Sequence, residues 1–103
     1  MAVIELDSSN FEQEVMASEA PVLIDFWATW CGPCRAFSPV VDAYAEAHPE
    51  IKVCKVNVDE QPALAQAFQV MSIPTAVVMK RGQMVNRVSG AMNERQLAAF
   101  VAG

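Results

Sequence analysis

Cys31 and Cys34 stand three positions apart in FWATWCGPCRAFSP, residues 26–39, around Gly32 and Pro33. Two thiols at this spacing can hold a metal, close a structural disulfide, or shuttle electrons as a reversible dithiol–disulfide couple. Structural zinc takes four ligands, usually two such pairs or one pair with two histidines. The remaining candidates here are Cys54 and His48. Cys54 alternates with valines and lysines, as a small core or strand residue does, and His48 in HPE reads as a solvated loop residue at a helix end. Ligand counting therefore argues against a metal.

A helix beginning at Gly32 or Pro33 brings the Cα atoms of the pair to roughly 5 Å, inside the window a disulfide accepts. Proline suits the first turn, where its missing N–H costs nothing. The unpaired N–H groups and positive dipole end of the helix favour a thiolate there. Cys31, at the extreme N-terminus and expected to be the more exposed, is assigned as the attacking nucleophile. Cys34, a turn further in, is assigned as the resolving thiol. Arg35 adds a nearby positive charge unless its side chain points to solvent.

The elements that must position this pair are legible on either side. VLIDFWA, residues 22–28, is a continuous apolar run, the pattern of a strand buried on both faces. Asp25 interrupts it. A carboxylate there is costly unless paired or protonated, and burial raises its proton affinity toward neutrality. Asp25 is therefore a candidate proton acceptor and donor for Cys34, with the capping of a loop N–H as its structural alternative. Lys55, on a later strand, is a possible hydrogen-bonded partner for it or simply a solvated strand lysine.

AVIEL (2–6) reads as a first strand. Ser9 and Glu12 predict a capping box, and a helix from about residue 9 with Phe11 and Val15 on one face, ended by Pro21. Phe37, Val40, Val41 and Tyr44 follow helical spacing to about Ala47, with a kink expected at Pro39. IKVCKVNVD (51–59) is a strand, followed by a short helix with Leu64 and Phe68 on one side. TAVVMK (75–80), a turn at Arg81-Gly82 and MVNRV (84–88) form a hairpin. Asn93 caps a last helix whose Leu97, Phe100 and Val101 face inward.

The order is βαβαβαββα, an α/β class. Strands separated by helices are expected as parallel neighbours, with the hairpin adding antiparallel strands, in a mixed five-stranded sheet flanked by four helices. Sites in open α/β sheets lie beyond the carboxyl ends of the strands, where Cys31 and Cys34 fall.

Bulk properties narrow the function class. The 103 residues suit one domain with its own core, and 53% hydrophobic content excludes a disordered tail. Net charge is −5 and the seven basic residues are scattered, against a nucleic-acid footprint. Nothing before Arg35 is basic, so a secretory leader is not expected, and no apolar stretch is long enough to span a bilayer. A soluble chain in a reducing, cytoplasmic compartment is the expectation. An odd cysteine count argues against a secreted disulfide framework, which leaves the reversible couple.

Trp30-Cys31-Gly32-Pro33-Cys34, the preceding Val22-to-Ala28 run with Asp25, the SIPT at residues 72–75, the SGA at 89–91 and Pro39 together resemble the thioredoxin family. The resemblance runs from about residue 3 to 101. It implies the thioredoxin fold and a protein disulfide reductase acting through a Cys31–Cys34 redox disulfide, with no bound cofactor or metal. Reducing equivalents would come from NADPH through a separate thioredoxin reductase. It further implies that Trp30, Gly32, Pro33, Ile73, a cis Pro74, Gly90 and Ala91 form the surface for disulfide-containing target proteins, on a monomer. Ile73 would present backbone groups to an extended peptide, in the manner of strand addition.

Arg35 stands where many members have lysine. Met71-Ser72 replaces the Arg-Gly or similar pair often found before Ile-Pro, with Met71 either exposed as a soft apolar contact or packed inward. An oxidising or isomerising relative on the same fold, and a binding subunit indifferent to its thiols, are the alternative readings.

Overall fold

The computed structural model describes residues 3–103. Five strands, β1 (Val3–Glu5), β2 (Val22–Trp27), β3 (Lys52–Asn57), β4 (Thr75–Lys80) and β5 (Gln83–Ser89), form one sheet in the order β1-β3-β2-β4-β5. Three α-helices, α1 (Gly32–Ala47), α2 (Pro62–Ala67) and α3 (Glu94–Ala102), and a π-helical turn at Glu12–Met16 supply the four expected helices. The chain thus has the mixed α/β architecture of the thioredoxin fold. Ala2, first residue of the expected opening strand, lies outside the described residues.

Neighbourhood in the sheet departs from the expectation. β1 and β2 are not adjacent; β3 lies between them, parallel to both. β4 follows a helix yet runs antiparallel to β2, and β5 completes the hairpin against β4. This places β2, the most apolar strand, at the centre, where both of its edges are hydrogen-bonded and both faces are covered.

The faces carry separate cores. On one, Val15 joins Ile24, Phe26, Cys54, Val56 and Val77, with Phe11, Leu64 and Phe68 packed over them. The other buries Leu23, Val53, Ala76 and Val78 against Phe37 and Val41 of α1 and Leu97 and Val101 of α3. Helical spacing on α1 and α3 thus selects the buried stripe as expected.

The Ser9–Glu12 capping box is not formed. Asp7 takes that place: its carboxylate accepts from the N–H groups of Ser9 (2.8 Å) and Asn10 (3.1 Å), and Asn10 Oδ1 accepts from Asp7 N–H (2.9 Å). An ionised carboxylate is a stronger acceptor than a hydroxyl, so the turn is organised two residues earlier. Asn93 does cap α3, in a reciprocal pair with Gln96. α1 continues through Pro39, an exposed position where water can serve the carbonyl that the proline leaves without a donor. The hairpin turn has positive φ at both Arg81 (52°) and Gly82 (77°), the handedness that matches twisted strands.

Candidate active site

The β2 strand ends at Trp27, and after four intervening residues α1 begins at Gly32. That short connection projects Cys31 to the N-cap of α1, with extended backbone (φ −94°, ψ 110°), and Pro33 in the first turn. Cys34 N–H donates to Cys31 Sγ at 3.2 Å, so the sulfur occupies the position a serine or aspartate oxygen usually takes at a helix start. The two sulfurs are joined as a disulfide, with the Cα atoms 5.2 Å apart. Helical spacing alone accounts for that separation.

Cys31 is expected to be the more exposed of the pair, and the difference is small: 5% against 2%. Ala28, Trp27, Val58 and Ile73 pack around both cysteines, which is why neither stands clear of the surface. The opening is formed by the loop before β4. There Ile73–Pro74 is a cis peptide, and the Ile73 carbonyl oxygen lies 3.8 Å from Cys31 Sγ. Thr75 Oγ1 holds this loop by donating to Ser72 O at 2.6 Å, and Gly90 N–H donates to Pro74 O at 2.8 Å. Gly90 has φ +108°, a conformation that glycine adopts without penalty. Gly90, Ala91, Gly32 and Pro33 are exposed, and Pro74 is buried.

Trp30 is 67% exposed and its indole Nε1 donates to Asp59 Oδ2 at 2.8 Å. Met71 is 93% exposed, which settles its two readings in favour of the surface. Trp30, Met71, Ile73, Val58 and Val70 line a shallow cavity of about 300 Å³ beside the pair. Arg35 donates to Thr29 O at 2.9 Å.

Asp25 is 2% exposed, and among the described residues its Oδ1 has no hydrogen-bond partner. Burial pushes its carboxyl up to about 7, opposed by the Lys55 charge and reinforced by Asp42 and Glu5. Lys55 is its register partner on β3, but the expected hydrogen-bonded contact between them is absent. Lys55 Nζ donates to Ser38 Oγ at 2.6 Å and pairs with Asp42 Oδ1 at 3.0 Å, both on α1. The helix offers a partly solvated carboxylate and a hydroxyl, a less costly setting for the ammonium than a dry pairing beneath it.

The remaining candidates lie elsewhere. Cys54 is unpaired and fully buried on the opposite face of the sheet, where burial pushes its thiol up to about 12. His48 lies at the end of α1 with its side chain 38% exposed, the solvated position expected of it; there its ring stacks on Tyr44 at 4.1 Å, and Nδ1 lies 3.1 Å from Glu50 Oε2. Among the described residues no cluster of three or more His, Cys, Asp or Glu side chains could hold a metal. Sequence reasoning did not single out Asp59, Ser38 or Asp42. Asp59 carried a signal, lying just beyond the carboxyl end of β3. Ser38 and Asp42 follow Cys34 at helical i+4 spacing, a signal legible only once a charge is known to face that stripe.

The thioredoxin family model matches residues 2–103. The chain is 47% identical to a thioredoxin of Porphyra purpurea over 98 residues, covering 94% of this chain and 92% of that one. It is 48% identical to thioredoxin 1 of Nostoc sp. over 98 residues, with the same shares. To the chloroplastic thioredoxin M5 of Oryza sativa it is 43% identical over 100 residues, 96% of this chain and 58% of the relative. Matches of this extent make the chain a member of the thioredoxin family, and with it a thiol–disulfide reductase.

Proposed function

We propose that the reductase activity runs through nucleophilic attack by Cys31 on a disulfide of a target protein, followed by resolution by Cys34. In the first step the Cys31 thiolate bonds to one target sulfur, and the other target sulfur leaves with the electron pair and takes a proton. In the second, Cys34 gives up its proton, its sulfur bonds to Cys31 Sγ, and the remaining target sulfur leaves as a thiolate. The protein ends as the Cys31–Cys34 disulfide and the target as a dithiol, two electrons having moved.

The observation that carries this reading is the bonded cysteine pair at the start of α1, with Cys34 N–H directed at Cys31 Sγ. The same N–H and the helix dipole stabilise negative charge on Cys31 once the disulfide opens. Asp25 is the proton carrier for the resolving step. Its burial under the first turns of α1 and its titration near neutrality support this role. Lys55 acts on Asp25 by charge across the register rather than by a hydrogen bond. Trp30, Gly32, Pro33, Ile73, Pro74, Gly90 and Ala91 form the target surface. Asp59 anchors the Trp30 indole within it.

The chain acts as a single domain and a monomer in the cytoplasm, without a bound cofactor, and an NADPH-dependent thioredoxin reductase returns it to the dithiol. No helix among the described residues is long and apolar enough to cross a membrane, which agrees with that setting. The test is a trap. Cys34→Ser accumulates mixed disulfides on Cys31, and Cys31→Ser accumulates none. Capture through Cys34 in the second variant, or a redox pair that stays oxidised in a cytosol-like glutathione buffer, overturns the reading.

A further inference from the structure

Glu5, Lys55 and Asp25 are register partners on β1, β3 and β2, and Ala76 and Val88 continue the same row onto β4 and β5. Alternation along β2 and β3 puts this row on the face that carries Leu23 and Val53, beneath α1. Three charged groups thus lie side by side across the sheet under the helix that begins with the redox pair. On α1, Cys34, Ser38 and Asp42 follow at intervals of four, one stripe of the helix. Lys55 Nζ reaches up to both Ser38 Oγ (2.6 Å) and Asp42 Oδ1 (3.0 Å), while Asp25 Oδ1 beside it is left with no partner among the described residues.

We propose that Ser38 and Asp42 are positioning residues that hold the Lys55 ammonium against α1, out of a salt bridge with Asp25, and so leave that carboxyl unpaired to carry the Cys34 proton. An ammonium bonded to Asp25 would hold it as a weakly basic carboxylate, unable to take the thiol proton near neutral pH. The charged groups that act on Asp25 are Glu5 from β1, Lys55 from β3 and Asp42 from α1, and the redox-paired Cys34 opens the stripe of α1 that carries Asp42. β4 brings only Ala76 to its register position. The inference rests on the proton-carrying role given to Asp25 under Proposed function. It adds that this role depends on two residues of the helix, neither of which bonds to Asp25.

The test measures the Asp25 titration by carbon NMR of the labelled carboxyl, together with the pH profile of the resolving step from pH 6 to 9. Both are followed in the wild type, Ser38→Ala, Asp42→Asn, Asp42→Glu and Asp25→Asn. Ser38→Ala is decisive because it changes no charge, whereas Asp42→Asn also removes a negative neighbour. Expected are a fall of about one pH unit in the Asp25 midpoint in both Ser38→Ala and Asp42→Asn, and a profile that moves with it. Asp42→Glu retains the wild-type midpoint. An unmoved midpoint in Ser38→Ala, with Asp25→Asn slowing resolution, overturns this inference and spares the proton role. Wild-type rates in Asp25→Asn overturn both.

Discussion

Two adjacent rows of the sheet, one residue apart along every strand, have opposite characters. The row Ile4, Cys54, Ile24, Val77 and Arg87 faces the core beneath the π-helical turn and α2, and it is apolar except at the exposed edge. The row Glu5, Lys55, Asp25, Ala76 and Val88 faces α1 and carries three charges, two of them buried. Each row has a cysteine associated with it. Cys54, inside the apolar row, is a thiol that burial keeps protonated to about pH 12, a packing group. Cys34, above the charged row, sits at a helix start beside a bonding partner. Reactivity here follows the surroundings of a thiol and not its identity, and the sheet tolerates buried charge only on the face where a helix end and a titratable carboxyl can use it.

The sharpest way to break this contrast is to move the charge to the other face. Ile24→Asp puts a carboxylate one residue from Asp25 into the fully apolar core and is expected to cost at least about 4 kcal/mol, leaving the chain unfolded in a urea titration. A variant that folds with near-native stability would show that the two faces are equivalent.

The cysteines come next. Cys31→Ser is expected to abolish reduction of a protein disulfide. Cys54→Ser leaves the rate untouched and costs about 1–3 kcal/mol for an added hydroxyl in apolar surroundings. Insulin reduction and chemical denaturation on the same preparations separate the two.

Asp25→Asn sharpens the comparison through pH. Asp25 titrates at about 7 in the fold and near 3.8 when unfolded, so between those values the native state holds the extra proton. Stability of the wild type therefore falls as pH rises from about 4 to 7 and levels off above, a loss on the order of 4 kcal/mol at most. The Asn variant is expected to lack that slope and to be the more stable protein at pH 8, while resolving mixed disulfides more slowly. Urea unfolding at pH 4, 6 and 8 reads the slope, and parallel slopes in both proteins would return Asp25 to an ordinary structural role.

The smallest effect is expected at the solvated end of the apolar row. Arg87 donates to Phe68 O at 2.6 Å and Gln69 O at 3.3 Å, at the C-terminal end of α2. Arg87→Ala should cost about 1 kcal/mol and leave disulfide reduction unchanged. A large loss would mean that the edge charge supports the core rather than decorating it.

Much of this contrast is written in local pattern. The continuous apolar run of β2 with one carboxylate inside it, the helical spacing of Phe37 and Val41, and the two cysteines around Gly32-Pro33 are properties of short stretches. Backbone geometry alone turns a Cys-x-x-Cys at a helix start into a pair within disulfide reach. Strand order was less legible, because whether β1 lies against β2 or β3 depends on which pairing buries more, not on either strand. The capping of the first turn failed by two residues, since the ionised Asp7 accepts from the N–H groups of Ser9 and Asn10 and also engages the Ser9 hydroxyl that was expected to serve Glu12.

Residue chemistry and spacing along the chain were thus enough to identify the reactive pair, the anomalous Asp25 and the family that shares them. Side-chain partnership was settled by folding. Lys55 is the register partner of Asp25, yet its long side chain also reaches α1; only the packing of the helix over the sheet decided that Ser38 and Asp42 take it. The same holds for Trp30 and Asp59, for the exposure of Met71 and for the burial of Cys31. Each depends on groups brought together from distant parts of the chain, and an ion or a thiol responds to the groups within a few ångströms whatever their separation in sequence.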